Sequence, residues 1–356
     1  MFKNLIVTVS LTCFSLCSLA AETVSAIDTP DNKRESPWLF VPLVSSDPKL
    51  GTSGGALAAY LHRFDSKSSV SMFGIMGLYT TTHSKVGGLF ARTFFGEDRH
   101  RLFALAGAGT IKNDYQDFLG TGFPVQSDDE LKALFARYTY RFHQPWFAGF
   151  QIADTNYAVV ADNAMSGEIL DQFGLTGFDS VGVGLVVNYD SRDNVNTPSS
   201  GIYADANNIA YRENLGGDVS FDAYRLTIKQ YLPHNNGYVF AWKFSNHLTN
   251  DAPPSGYASI RLRGYTAGEY LGQNMASLEA EERIKIGERW GLTAFLGAAC
   301  LYGDNLKCSD SNNVYTNIGG GFYYMLKLKD KIAATVEYAY GEDNNHGFYM
   351  RMGWGF

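Results

Sequence analysis

Apolar side chains recur at every second position through most of this chain, and that period limits the fold more than any other feature. In the final stretch, Phe348, Met350, Met352, Trp354 and Phe356 share one parity, while Tyr349, Arg351, Gly353 and Gly355 share the other. Near 237–249, Tyr238, Phe240, Trp242 and Phe244 oppose Val239, Ala241, Lys243 and Ser245. Near 332–341, Ile332, Val336, Tyr338 and Tyr340 oppose Thr335 and Glu337. A period of two places such sets on opposite faces of a strand. A soluble sheet would need a second layer over each apolar face.

The composition argues that lipid is that layer. Hydrophobic residues make up 45% of the chain, yet beyond about residue 21 there is no run of 18 apolar residues, so no transmembrane helix is expected. The 37 glycines, 22 tyrosines and 24 phenylalanines, interleaved with polar residues, suit a barrel with an apolar outside and a polar lumen. The fold class is therefore all-β, a transmembrane antiparallel barrel. Its expected spans are 37–44, 52–64, 69–80, 85–95, 100–112, 129–142, 146–160, 179–191, 201–213, 217–232, 237–249, 276–286, 290–302, 314–326, 332–341 and 346–356. That gives about sixteen strands, an even number as single-chain bacterial barrels require, with fourteen or eighteen as the neighbouring counts. Long connections at about 113–128, 161–178, 250–275 and 303–313 alternate with short turns. This asymmetry predicts both termini in the periplasm of a bacterial outer membrane. A short helix is expected at Ser166–Gly174.

Residues 1–21 read as a secretory signal: Lys3 opens it, an apolar core follows, and small residues lie near Ala20. Residues 22–36 form a polar leader, and 37–356 form the barrel. The secretory route permits a disulfide between Cys300 and Cys308, which flank an apparent loop tip. Net charge is −7, without a basic cluster, so no nucleic-acid partner is expected. The histidines show no metal spacing, and no cofactor or metal is expected. Gly51-Thr-Ser53-Gly-Gly55 fits a hydrolase pattern but lacks the strand–turn–helix context, so no enzyme activity is expected. Outer-membrane lipid and lipopolysaccharide are the expected surroundings.

Four motifs resemble the BamA/TamA-like surface-antigen family of outer-membrane assembly and translocation barrels. Leu262-Arg263-Gly264-Tyr265 is similar to that family's VRGF/Y loop motif. Asp190, Arg192 and Asp193, followed by Pro198 and Gly201, resemble its turn between two barrel strands, expected here between strands 8 and 9. Glu281-Glu-Arg283 resembles its E-x-R, and Trp354 and Phe356 resemble the C-terminal aromatic recognition signal. The resemblance implies insertion or translocation of polypeptide clients. It departs from the family in two places. Phe295-Leu-Gly297 stands where an F-x-D-x-G acid is usual, which leaves Glu279 or Glu281 as partner for Arg263. Only about fifteen residues precede the barrel, so no periplasmic polypeptide-binding (POTRA) domain is expected, and a separate periplasmic partner could supply one. The alternatives are a POTRA-less pore or structural surface protein, and a detached relative of the barrels fused to patatin-like lipases.

The motif residues also have a physical reading. A sixteen-strand barrel is expected to enclose a water-wide lumen. The long loop before strand 12 can fold into it and carry Arg263 to the acids on the wall. An exposed pair would contribute roughly 0–1 kcal/mol. A desolvated pair broken on one side would cost about 3–5 kcal/mol. Pro42 in the first strand lacks a ladder donor, and Gly353 and Gly355 thin the last, so a weak closing seam is expected.

Overall fold

The computed structural model describes residues 36–47, 51–115, 125–156, 179–235, 237–266 and 268–354. The signal, most of the leader, the expected helix at 166–174 and Phe356 lie outside the described residues. The alternation builds one wall. Its first half is β1 (Trp38–Asp47), β2 (Gly51–His62), β3 (Ser71–Thr80), β4 (Lys85–Phe95), β5 (His100–Tyr115), β6 (Val125–His143), β7 (Trp146–Thr155) and β8 (Ser180–Asp190). Next come β9 (Gly201–Tyr211), β10 (Phe221–His234) and β11 (Tyr238–Asn250). The two-residue β12 (Ala258–Ser259) and β13 (Leu271–Gly272) pair with each other inside the following loop. The wall is completed by β14 (Asn274–Lys285), β15 (Trp290–Tyr302), β16 (Val314–Lys327), β17 (Ile332–Gly341) and β18 (His346–Met352). Eighteen strands less the β12–β13 pair leave sixteen in a closed antiparallel barrel, with β1 meeting β18.

Side chains of one parity face outward, as Phe40, Ile75, Leu89, Phe150, Leu185, Leu296 and Ile318 do. The other parity faces the lumen and is buried: Gln151, Asp205, Lys229, Lys243, Glu279, Glu281 and Glu337 are examples. Outward apolar residues remove the need for a covering protein layer only where lipid supplies it.

Four sequence expectations need correction. The lumen is not polar all round. Leu39, Val41, Leu43, Leu57, Leu61, Phe90 and Phe135 face inward and belong to one buried cluster with Ile209, Tyr211 and Phe221. Inward positions of β1–β6 therefore pack as a core instead of lining a water-wide channel. β5 and β6 run longer than the expected 100–112 and 129–142, so part of the long connection expected at about 113–128 is ladder, with Ser127–Glu130 paired to Thr110–Asn113. Gly51–Gly55 lies wholly within β2, whose expected span opened at residue 52. Met352 and Trp354 do not continue the outward parity of Phe348; both are buried. Regular pairing of β18 ends at Met352, and Gly353 turns the chain with φ +91°. A residue in that left-handed region breaks the alternation that a strand requires.

The closing seam is short. β1 and β18 pair only at Ser45–Tyr349 and Ser46–Phe348 among the described residues, whereas β10 and β11 pair at thirteen positions. Each backbone hydrogen bond contributes about 0.5–1.5 kcal/mol net in water, and an unmade one costs several kcal/mol in hydrocarbon. Among the described residues the seam is thus the joint with the fewest paired positions.

Candidate functional site

The β11–β14 loop enters the lumen as a hairpin. Its stem is the β12–β13 pair, and Ile260 N–H donates to the Tyr270 carbonyl at 3.1 Å. Apolar residues seat it: Ala258, Ile260, Leu262 and Tyr265 pack with Met275, Ala299 and Leu301 of β14 and β15. Full burial of such side chains contributes about 1.5–3 kcal/mol each. The Cys300–Cys308 disulfide closes the neighbouring connection, and Tyr257 Oη donates to Asp304 within it.

This seating delivers Arg263 to three carboxylates. Its Nη1 donates to Glu281 at 2.7 Å and to Glu337 at 3.2 Å, and its Nε lies 3.4 Å from Glu279. Both acids named from the sequence are present, and the structure adds Glu337 from β17. The acids have further cations: Arg283 donates to Glu281 at 2.7 Å, Lys243 lies 3.3 Å from Glu279, and Arg351 lies 3.5 Å from Glu337. Phe295, at the site of the acid-lacking motif, puts its ring 3.4 Å beneath the Arg263 guanidinium. Gly297 leaves space there, since a Cβ would come within 2.9 Å of Glu279. Burial works against the charge on Arg263, but Glu337, Glu281 and Glu279 more than offset it and raise its pKa above the ordinary arginine value.

The flanking motif residues are also held. Gly264 has φ +99° and runs against the backbone of Gly341, 3.3 Å from where its Cβ would be. Its N–H donates to Tyr349 Oη of β18 at 2.8 Å. Tyr265 Oη donates to the Thr316 carbonyl and accepts from Glu342 N–H, both at 2.8 Å. Burial pushes this phenol up to about 12.

The β8–β9 turn, residues 191–200, closes over the opposite mouth. Arg192 pairs with Asp190 at 2.8 Å. Asn194 Oδ1 accepts from the N–H groups of Asn196 and Thr197, and Asp193 accepts from those of Ser199 and Ser200. These are local Asx-type turns. Gly201 has φ +104° and admits no Cβ, which would lie 2.4 Å from the Ser191 carbonyl. The turn also reaches distant walls. Arg92 of β4 donates to Asn196 at 2.7 Å, Asn196 Nδ2 donates to the Asp330 carbonyl at 3.0 Å, and Thr197 Oγ1 donates to the Lys331 carbonyl at 2.9 Å. Arg283 Nη1 donates to the Pro198 carbonyl at 3.1 Å. Arg283 also lies 4.2 Å over the Trp354 ring, which meets Tyr323 at 4.5 Å. It thereby joins the loop, the turn and the C-terminal segment.

Among the described residues, no cluster of His, Cys, Asp and Glu could hold a metal. The site is a fastening, with acids and guanidinium groups neutralising one another. Glu337 and Arg351 were on the polar parity in sequence, which was the only signal for them.

Residues 119–355 match a family model described as the Omp85 superfamily domain. No curated protein sequence matches the chain. The fold is similar to the crystal structure of BamA from Haemophilus ducreyi lacking POTRA domains 1–3. The TM-score is 0.52 and the identity 14%, over 94% of this chain and 77% of that one. It is also similar to CdiB from Acinetobacter baumannii, with TM-score 0.55 and 9% identity, over 87% of this chain and 59% of that one. The chain thus spans a little over half of CdiB. At these identities the likeness is one of fold.

Proposed function

The chain belongs to the Omp85 superfamily of outer-membrane β-barrels, and from that premise we propose that it handles polypeptide at the β1–β18 seam. The client would be a protein being inserted into, or passed across, the bacterial outer membrane. The supporting observation is the seam itself, with two paired positions among the described residues where β1 and β2 have ten. Residues Leu39–Val44 of β1 have no ladder partner on the β18 side among the described residues. A strand edge with unmade hydrogen bonds is a template for an incoming strand. The lumen, occupied from both mouths, supports lateral handling over free flow. In this reading the short turns and both termini face the periplasm, and residues 1–21 direct export and are removed.

Cysteines at Ser46 and Phe348, bonded across the seam, test the proposal. The measurement is the outer-membrane proteome of depleted cells complemented by the locked barrel, with and without reductant. The expected result is loss of a client set that returns on reduction. A locked barrel that sustains the full proteome would end the proposal.

A further inference from the structure

A second charged group lies on the lumen wall between β4 and β9, away from loop and seam. Arg92, Arg101 and Arg137 of β4, β5 and β6, with Arg192 of the β8–β9 turn, line one cavity of about 110 Å³ beside Phe103 and Tyr203. That volume exceeds what a single water needs.

The guanidinium groups are held in fixed poses. Arg101 stacks 4.0 Å from the Phe147 centroid and donates to Asp190 at 2.5 Å and Asp98 at 2.7 Å. Arg137 donates from Nη1 to Asp205 at 2.9 Å and from Nε to Gln151 at 2.8 Å. Arg192 lies 4.3 Å over Tyr203. Two donors remain: Arg137 Nη2 and Arg101 Nε are buried and meet no hydrogen-bond partner. Arg137 itself is only 6% exposed. Buried polar atoms without partners are rare and mark places where a water or an ion belongs. Here the spare donors sit on cations, and charge-assisted bonds to an anion are about twice as strong as neutral ones. A planar guanidinium also matches the oxygen spacing of phosphate and carboxylate.

We propose that this cavity binds one oxyanion of the phosphate or carboxylate class, with Arg137 Nη2 as a direct donor. The arginines that β4, β5 and β6 contribute lie on the lumen parity, so the ligand arrives as a solute through a mouth and not as a headgroup through the wall. The assignment is independent of the seam.

Isothermal titration of the folded full chain in detergent, in a chloride-containing HEPES buffer, with sodium phosphate and separately with sodium acetate, tests it. One saturable site for phosphate, for acetate or for both is expected, and the responding salt assigns the class. Arg137→Lys keeps a cation facing Asp205 but lacks the second terminal nitrogen. It should weaken binding at least about tenfold, a loss of roughly 1.4 kcal/mol. Thr139→Asp, which places a carboxylate at the cavity lining, should abolish binding and serves if Arg137→Lys fails to fold. The absence of saturable binding up to about 10 mM of either salt, weaker than any useful site, would overturn the proposal. So would unchanged affinity in the folded variants.

Discussion

Residues 251–273 and residues 191–200 enter the barrel from opposite mouths and are secured by different chemistry. The loop carries an arginine, 6% exposed, to three carboxylates. The turn is organised by its own Asx bonds and reaches neutral carbonyls at Asp330 and Lys331. A desolvated charge cluster resists the loss of any member, because each deletion strands a buried charge. The turn is tied down by separate bonds, several to neutral carbonyls and a few to Arg92, Arg283 and Lys331, and those to neutral groups fail piecemeal, each worth about 0.5–1.5 kcal/mol. The loop should therefore behave as an all-or-none fastening and the turn as a graded one.

The largest expected effect is that of Arg263→Ala, which leaves Glu281 and Glu337 short of a cation and should destabilise the barrel by about 3–5 kcal/mol. Urea titration followed by heat-modifiable mobility measures it. Adding Glu281→Gln to that background should cost less than the two single changes summed, since the groups share one network. Strict additivity would break the all-or-none reading. Gly264→Ala, which forces a side chain into a left-handed position against Gly341, should cost about 1–2 kcal/mol by the same assay. In the turn, Thr197→Val, which loses one bond to the Lys331 carbonyl, should cost about 1 kcal/mol, and Asn196→Ala, which also loses the bond from Arg92, about 2 kcal/mol.

The smallest effect concerns Asp193. Partial burial works against its ionisation, but bonds from Ser199 and Ser200, with Lys331 nearby, hold its carboxyl below the usual carboxylate range. A depressed folded-state pKa adds stability above the ordinary value, and that stability is lost as pH falls through the lower one. Asp193→Asn should therefore be less stable than the parent at pH 7, and the gap should close in acid. A gap that persists in acid would mean that the bonds, not the charge, carry the effect.

The parity of Ser277, Glu279 and Glu281 made the acid wall legible in sequence, and the strand spans followed from the same period. Glu337 was legible as a lumen residue but not as a partner of Arg263. Finding it requires the register of two further hairpins, Phe295–Gly319 and Gly321–Glu337, which side-chain patterns leave open. Phe295 was read as the place of a missing acid, whereas its ring supports the guanidinium face. The reach of the turn to Asp330 and Lys331 escaped the sequence because those partners lie 134 residues away and are backbone carbonyls, which every residue carries. The apolar interior of β1–β6 escaped because alternation marks two faces without saying which one meets lipid.

Tyr349 and Arg351 belong to the strand that shuts the cylinder, yet their polar ends hold Gly264 and Glu337. Displacing β18 outward would pull on both. The geometry is that of an interlock, in which the last stave is latched from inside, and any client of the proposed function would have to work against both at once.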